Sequence, residues 1–385
     1  MVAQGDRRGY QHLLDEFWAE AEDQGVPLPS EEPVSAAAFC KARKGLKPEL
    51  VHELIHRVGD RTDRTLEDGE GKWQGRRLFA VDGTSRTVRR SPELWDYFGA
   101  AEGSNYPQAT VSILSDVLTG VTYDVWIGPY ASCERTAMLQ HLERLNEGDV
   151  IIMDRGYPSS EVLDALDRLR IDFIIRVPAS GTWAEVEHFA ASDHKDRLLV
   201  IPLRKTIEGG KRAMTVRAVN CKRAGQEPMI LLTSLSRNDA SVCKLDELYH
   251  MRWAVEETYK LPKGLYLNQR QMHSMSVEGV EQEILALQLF ISLARTMRRL
   301  SVPQASVDDE RDLSQKAAIL ATGRFIASLA LAPVFNPTAW RKAVTRILAW
   351  IARRLDKRRP DRHYQRRSFQ PRQRWNAQGR VGSIG

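Results

Sequence analysis

The stretch GDVIIMDRGYPSSEVLDALDRLRIDFIIRVP (residues 148–178) decides the fold, because its hydrophobic pattern changes twice. It begins with an apolar run that ends at Asp154, continues with apolar residues at helical spacing, and closes with a second apolar run. These patterns predict a buried strand, a helix and another strand. The sequence Asp154-Arg155-Gly156 after the first run is typical of a turn.

The segments before this stretch supply three more strands and a helix. RRLFAVDGTSRTV (76–88) contains an apolar run that we expect to end, as a strand, at Asp82. QATVSILSDVLTGVTYDVWIG (108–128) predicts two strands joined at residues 116–120, and CERTAMLQHLERL (133–145) predicts a helix. The order of three strands, helix, strand, helix and strand is that of a ribonuclease-H-like α/β fold, a mixed sheet flanked by helices.

The remaining segments divide the chain into four predicted regions. Residues 1–72 are a helical N-terminal module, in which Ser35 is an expected helix N-cap and Gly45 an expected helix end. Residues 73–300 are the ribonuclease-H-like catalytic domain, with a β-rich insertion at about 181–236 and a long helix at 277–300. Residues 301–352 are a helical C-terminal region, and residues 353–385 are a basic tail that we expect to be disordered.

Basic residues are concentrated in the tail and near one N-terminal turn. The tail from Arg353 to Trp375 contains ten Arg or Lys residues and two Asp residues, which gives it a net charge of +8. The net charge of the whole chain is +6, so the rest of the chain carries about −2. Such a tail predicts contact with polyanions, nucleic acid first, with a solvated solubility tail as the alternative. The turn carries Lys41, Arg43, Lys44 and Lys47. These residues suit a small DNA-binding module, although a plain helical docking domain is equally compatible with the pattern.

Composition argues against membrane and secreted classes of protein. No run of about 18 apolar residues could span a bilayer, and the N-terminus has no apolar core of a secretion signal. We therefore expect a cytoplasmic protein without membrane contact. The four cysteines lie far apart and lack the spacing of a Cys/His zinc site, so they are expected to be reduced and no structural zinc site is predicted.

Three acidic residues are candidate metal ligands because of where they fall. Asp82 and Asp154 follow the apolar runs of the first and fourth strands, which are neighbours in a sheet of this order, and Glu256 lies on a later predicted helix. Carboxylate oxygens suit Mg²⁺ or Mn²⁺, and two such ions can activate an attacking oxygen and stabilise a leaving one in phosphoryl transfer. The alternative is that the two Asp residues only form turns.

The segment LYHMRWAVEETYKLPKG (248–264) predicts a helix with an unusual face. Helical spacing puts an aromatic pair, a carboxylate and three cations on one stripe, namely Tyr249, Arg252, Trp253, Glu256, Lys260 and Lys263. A stripe that faced the core would be apolar. Glu257 is turned about 100° away from Glu256, so we expect it to be solvated. Pro262 is expected to end or kink the helix before Lys263.

Taken together, these residues resemble the DDE transposases of the insertion-sequence-4 type. The spacing Tyr249-x2-Arg252-x3-Glu256-x6-Lys263 is the Y-(2)-R-(3)-E-(6)-K signature of that family. VDGTSRTV (81–88) is similar to the segment around the family's first Asp, and MDRGYPSSEVLDAL (153–166) is similar to the segment around its second. The joint match is specific, because four spaced residues and two Asp segments occur in the family's order.

The resemblance implies a cut-and-paste transposase with Asp82, Asp154 and Glu256 as its catalytic, metal-binding triad. It implies two Mg²⁺ or Mn²⁺ ions in each active site. The DNA-binding residues would be Tyr249, Arg252, Trp253 and Lys263, together with Lys260 of the same stripe. The implied partners are double-stranded DNA, as transposon ends and as target, and a second copy in a homodimer, in the bacterial nucleoid. Two alternatives stay open: a nuclease of this fold without strand transfer, and a domesticated, non-catalytic DNA-binding protein.

Overall fold

The computed structural model describes residues 9–65, 71–221, 229–252, 272–305 and 313–356. These residues form one mixed sheet of eight strands, which is flanked by helices. The strands are β1 (Leu78–Thr87), β2 (Gln108–Asp116), β3 (Thr122–Pro129), β4 (Val150–Met153), β5 (Asp172–Val177), β6 (Asp196–Leu203), β7 (Arg212–Asn220) and β8 (Ile230–Thr233). Their order across the sheet is β3-β2-β1-β4-β5-β8-β7-β6. The predicted α/β class is confirmed.

The first five strands form the ribonuclease-H-like core. β1, β2 and β3 pair antiparallel, whereas β4 pairs parallel with both β1 and β5. The turn predicted at residues 116–120 is present, and it is tightened by Asp116, whose Oδ1 accepts a hydrogen bond from Thr119 N at 2.6 Å. Gly120 completes the turn at φ 72, a conformation that favours glycine. The strand order expected from the sequence is therefore confirmed.

The predicted insertion is β-rich, and it extends the same sheet. β8 pairs antiparallel with β5, and β7 links β8 to β6. Arg217 of β7 is buried and fixes this extension, because it donates to both carboxylate oxygens of Asp196, at 3.1 and 2.9 Å. Its Nη1 also donates to the carbonyls of Ser236 and Ala240, at 2.8 and 2.7 Å, just before the next helix.

Helices cover the sheet and form both ends of the described chain. They are α1 (Tyr10–Asp23), α2 (Ala36–Lys44), α3 (Pro48–Thr65), α4 (Pro92–Phe98), α5 (Glu134–His141), α6 (Ser160–Arg168), α7 (Ala184–Ala190), α8 (Val242–Met251), α9 (Val277–Leu300), α10 (Gln315–Arg324), α11 (Ile326–Phe335) and α12 (Pro337–Ala352). The sequence did not predict α4 or α7. Among the described residues, no helix is both long and apolar enough to cross a membrane.

The sheet has an apolar core on each face, because side chains alternate along its strands. Phe79 and Ile151 face one core, together with α5, α6 and α7. Ala80 and Ile152 face the other core, together with α4, α8 and α9. Complete burial of a side chain such as Phe79 stabilises the folded state by about 1.5–3 kcal/mol. The two cores therefore hold the strands, and the residues at their ends, in fixed positions.

The N-terminal helices pack on the sheet edge and on α9. Ser35 caps α2 as predicted, because its Oγ accepts from Ala38 N at 3.1 Å, and α2 ends at Gly45. Arg43 is not presented to solvent: its guanidinium donates to Gln282 Oε1 of α9 at 2.8 Å and to Tyr10 at 2.9 Å. The other basic residues of this turn, Lys41, Lys44 and Lys47, are exposed.

Candidate active site

Asp82 and Asp154 lie where β1 and β4 diverge. The parallel pairing of these strands ends at Ala80 and Ile152. Each Asp lies two residues beyond that last pair, so the two occupy equivalent positions on neighbouring chain segments. Adjacent strands are about 4.8 Å apart. The sequence prediction that the first and fourth strands are neighbours is confirmed, and the fold brings the two acidic positions together.

The expected end of β1 at Asp82 is wrong. β1 continues to Thr87, and Asp82 pairs with Ile113 of β2 in the middle of the strand. The Asp-Gly pair resembles a turn, but antiparallel pairing with β2 holds both residues extended. Asp154 does follow β4 directly, as predicted. One carboxylate is thus carried by a rigid central strand and the other by the loop after a strand.

Asp154 is also a turn residue, which was the alternative interpretation. Its Oδ1 accepts a hydrogen bond from Gly156 N at 2.8 Å. This bond orients the carboxylate relative to the backbone and leaves it half-buried. The turn therefore fixes the direction of a candidate ligand, so the two interpretations do not exclude each other.

Glu134 is a third carboxylate in the site, which the sequence analysis missed. It begins α5, and its side chain lies between β1 and the loop after β4: a Cβ on Gly83 would be 2.5 Å from Glu134 Oε1, and a Cβ on Gly156 would be 3.1 Å from Oε2. Burial raises the pKa of Glu134, and the nearby charge of Asp154 raises it further. Two glycines therefore create the space in which this carboxylate lies.

Tyr157 is a buried residue close to the acidic site. Its side chain is fully buried and directly follows the turn formed by residues 154–156. Burial raises the pKa of its hydroxyl well above the usual range, and the negative charges of Glu134, Asp82 and Asp154 act in the same direction. The three carboxylates therefore all lie near this one buried hydroxyl.

Arg252 is the cationic residue that the described structure places against this site. Its Nη1 lies 3.8 Å from Asp82 Oδ1, and its side chain is 11% exposed. Its guanidinium lies over the ring of Tyr249, 5.7 Å from the ring centroid. Tyr249 itself is only 7% exposed and belongs to the core beneath α8. The stripe was predicted to face DNA and not the core; Tyr249 departs from this prediction, because it faces the core, whereas Arg252 lies beside Asp82 and its contact with DNA stays a prediction.

The other predicted site residues lie outside the described residues. They are Trp253, Glu256, Lys260 and Lys263. The helix predicted over 248–264 is observed as the end of α8, up to Met251, with Arg252 as its C-cap. The third member of the predicted triad therefore remains a prediction.

The described part of the site fits divalent cations of the magnesium type. Its donors are carboxylate oxygens, which are the ligands that Mg²⁺ and Mn²⁺ prefer. The three carboxylates are half-buried near one another, so their like charges repel until a cation binds. Asp82 and Asp154 could hold such an ion, with Glu134 beside them.

The chain is similar to known transposases. Residues 73–293 match the family described as the transposase DDE domain. The transposase InsG for insertion sequence element IS4 of Escherichia coli strain K12 is 23% identical over 279 residues, which cover 70% of this chain and 63% of InsG. The putative transposase InsZ of the same strain is 25% identical over 142 residues, which cover 35% of this chain and 46% of InsZ. A solved piggyBac transposase synaptic complex with hairpin DNA aligns with 79% of this chain and 64% of its own, at 11% identity and a TM-score of 0.42. The chain thus spans less than two thirds of the length of these relatives.

Proposed function

The chain belongs to the transposase DDE domain family, and we propose that it is a cut-and-paste DNA transposase. It would bind terminal inverted repeats, hydrolyse DNA at the transposon ends and join the freed ends to target DNA. The observation that carries this proposal is the convergence of Asp82 and Asp154 at the divergence of β1 and β4, inside the matched domain.

The proposed reaction has two phosphoryl-transfer steps. In the first, a water oxygen forms a bond to the phosphorus at the transposon end, the P–O3′ bond breaks, and a 3′-OH and a 5′-phosphate result. In the second, that 3′-OH forms a new bond to a target phosphorus, and the target's own P–O3′ bond breaks. Each joining step makes one phosphodiester bond for the one it breaks, so no external energy source is needed.

Asp82, Asp154 and Glu256 are the proposed catalytic and metal-binding residues. Two Mg²⁺ or Mn²⁺ ions bound there would supply Lewis acidity to the attacking and leaving oxygens. Arg252 lies beside Asp82, where a guanidinium can donate two parallel hydrogen bonds to a DNA phosphate. Trp253 would stack on a displaced base. Lys260 and Lys263 would add phosphate contacts, and buried Tyr249 would hold Arg252 in place.

Regions outside the catalytic domain are proposed to hold the DNA. The N-terminal helices present Lys41, Lys44 and Lys47 to solvent, which supports backbone contacts there. The basic tail after Leu355 would add further phosphate contacts. Two inverted ends are related by two-fold symmetry, so we propose a homodimer in the DNA complex, with each subunit acting in the cytoplasm at the nucleoid.

The test is cleavage of a labelled transposon end in Mg²⁺, followed by capture of the 3′-OH by a target plasmid. We expect Asp82→Asn, Asp154→Asn and Glu256→Gln to abolish cleavage while end binding stays near normal. Glu257→Gln and Asp193→Asn are the matched controls, because Glu257 is adjacent to Glu256 and Asp193 is exposed far along the chain. Normal cleavage by Asp154→Asn would rule out the triad. Cleavage without capture by the wild-type protein would identify a nuclease instead, and end binding without cleavage would identify a non-catalytic protein.

Metal binding can be measured without activity. Mg²⁺ should raise the thermal midpoint of the wild-type protein, because it binds only the folded carboxylate site. Asp154→Asn should respond less to Mg²⁺, and without metal it should be as stable as the wild type or more so, since one of the repelling charges is gone. An equal response of both proteins to Mg²⁺ would place the ion elsewhere.

A further inference from the structure

A second group of metal-ligand side chains lies away from the acidic site, between α3 and the edge strand β3. His52 and His56 are one helical turn apart on α3, and both turn their Nε2 atoms toward Asp124 of β3. The distances from Asp124 Oδ1 are 2.6 Å to His52 and 3.0 Å to His56, and the two imidazole centroids are 4.4 Å apart. Two imidazole nitrogens thus converge on one carboxylate oxygen.

The other oxygen of Asp124 is held separately. His141 Nδ1 lies 2.6 Å from Asp124 Oδ2, and His141 Nε2 lies 3.0 Å from Ser112 Oγ. His141 is completely buried. The second oxygen of Asp124 is thus held by a buried histidine, which is held in turn by a hydroxyl, and hydrogen bonds of this kind orient metal-ligating carboxylates in proteins.

The donor set points to zinc. Two imidazole nitrogens and one carboxylate oxygen are ligands that Zn²⁺ accepts at about 2.0–2.2 Å. In a tetrahedron with such bonds the ligand atoms are roughly 3.3 Å apart. The two N–O distances, 2.6 and 3.0 Å, are close to this value, and one ligand atom from each residue lies within 4.8 Å of the others, so side-chain adjustments of about 1 Å would seat the ion. Mg²⁺ would not be favoured by a nitrogen-rich site.

The site is also accessible and carries the right charge. The side chains of His52 and His56 are 34% and 23% exposed, which leaves a path from solvent. With neutral imidazoles, the three ligands together carry the single negative charge of Asp124. Glu53, between the two histidines in sequence, bonds Arg57 at 2.9 Å on the exposed side of α3 and does not compete for the site.

We propose that His52, His56 and Asp124 bind one zinc ion, which fastens α3 to the edge strand of the sheet. A water would complete the tetrahedron, as in sites with three protein ligands. α3 ends the N-terminal region that carries the exposed lysines, so the ion would couple that region to the catalytic domain. Asp124 lies two strands away from Asp82 in the sheet, hence the zinc site is separate from the catalytic carboxylates and does not depend on the proposed function.

Zinc binding is tested on the full chain after removal of metals with a chelator. We expect Zn²⁺ alone to bind at about one ion per chain with micromolar affinity or tighter, and to raise the thermal midpoint by at least about 2 °C. Co²⁺ should give the intense visible absorption of a tetrahedral site. His52→Gln keeps a donor for Asp124 but is a poor metal ligand, and it should weaken Zn²⁺ binding at least tenfold; Asp124→Asn should do the same.

Two control variants separate this site from others in the chain. His188→Gln changes an exposed histidine on α7, and Asp154→Asn changes the catalytic carboxylates. Both should bind Zn²⁺ as the wild type does. The proposal is overturned if the wild type binds no more Zn²⁺ than His52→Gln, or if Asp154→Asn removes the bound zinc. In the first case, the three histidines only donate hydrogen bonds to Asp124.

Discussion

A single methyl group at Gly83 should slow DNA cleavage markedly without unfolding the protein. Gly83 follows Asp82 in the extended part of β1, and its φ is not positive. In Gly83→Ala the new carbon would lie 2.5 Å from Glu134 Oε1 and 3.0 Å from Glu134 Cδ. Ordinary van der Waals contact begins at about 3.4 Å, so the Glu134 carboxylate must move by about 0.9 Å.

The cost to stability should be small. Alanine is about 0.5–1 kcal/mol more favourable than glycine inside a strand, and a rotamer change of Glu134 costs about 0.5–1.5 kcal/mol, so the two effects nearly cancel. The effect on activity should be large, because a displacement of about 1 Å among reacting groups can cost about 100-fold in rate. We expect cleavage to fall by about 10–100-fold and the thermal midpoint to stay within about 3 °C of the wild type.

The assay is single-turnover cleavage of end DNA over a series of Mg²⁺ concentrations. Gly210→Ala is the control, since a Cβ there meets its nearest neighbour, Thr206 Oγ1, at an ordinary 3.6 Å. Gly83→Ala is also made in a Glu134→Ala background. If the methyl acts by displacing Glu134, it should have no further effect there.

Two results would refute this reasoning. Normal cleavage by Gly83→Ala would show that the position of Glu134 is irrelevant to the reaction. A full additional loss in the Glu134→Ala background would show that the methyl blocks DNA or Asp82 directly, and not through Glu134.

Three further outcomes follow from the structure and the sequence. Arg217→Ala should lower the free energy of unfolding by about 1.5–3 kcal/mol in urea titrations, because the carbonyls of Ser236 and Ala240 lose a buried charged donor while Asp196 keeps Arg237 as a partner; a loss below about 0.5 kcal/mol would contradict this. Burial raises the pKa of Asp116 to about 6, above its unfolded value of 3.8. Between about pH 4 and 6 the folded state therefore holds a proton that the unfolded state has released, so stability should fall as the pH rises through this range. Asp116→Asn, which can still accept from Thr119, should remove this decline, and an unchanged pH profile would refute the assignment. Truncation after Leu355 should make log affinity for DNA less steep against log salt by about 0.9 for each lost phosphate contact, and an unchanged slope would exclude the tail from DNA binding.

The order of strands and helices along the chain could be predicted because most core strands contain an apolar run that is followed by turn residues. Val150–Met153 and Asp172–Val177 are such runs. The pairing of β8 with β5 could not be predicted, since the partners come from distant parts of the chain and local pattern does not encode it. Antiparallel pairing also overrode the turn signal of the Asp-Gly pair within β1.

The sequence identified candidate site residues only where they occupy a distinctive position in a predicted strand or helix. Asp82 and Asp154 follow apolar runs and were found for that reason. Glu134 begins a helix, where acidic residues are common because the helix dipole stabilises a negative charge there. Its position in the sequence therefore does not identify it as a site residue. His52 and His56 show metal-ligand spacing, but their partner lies 72 and 68 residues away, and only the folded chain brings it to them.

Arg252 limits how far Glu256, the proposed third member of the triad, can lie from the Asp pair. Its guanidinium is 3.8 Å from Asp82, and its helix is anchored in the core by Tyr249. Glu256 follows four residues later, and four residues of chain span at most about 14 Å, or about 6 Å if they form a helical turn. The length of the chain therefore permits the proposed place of Glu256 beside the Asp pair, which stays a prediction because Glu256 lies outside the described residues. Under the proposed function, the buried Tyr249 would act indirectly, because it holds Arg252 at the point where the segment that leads to Glu256 begins.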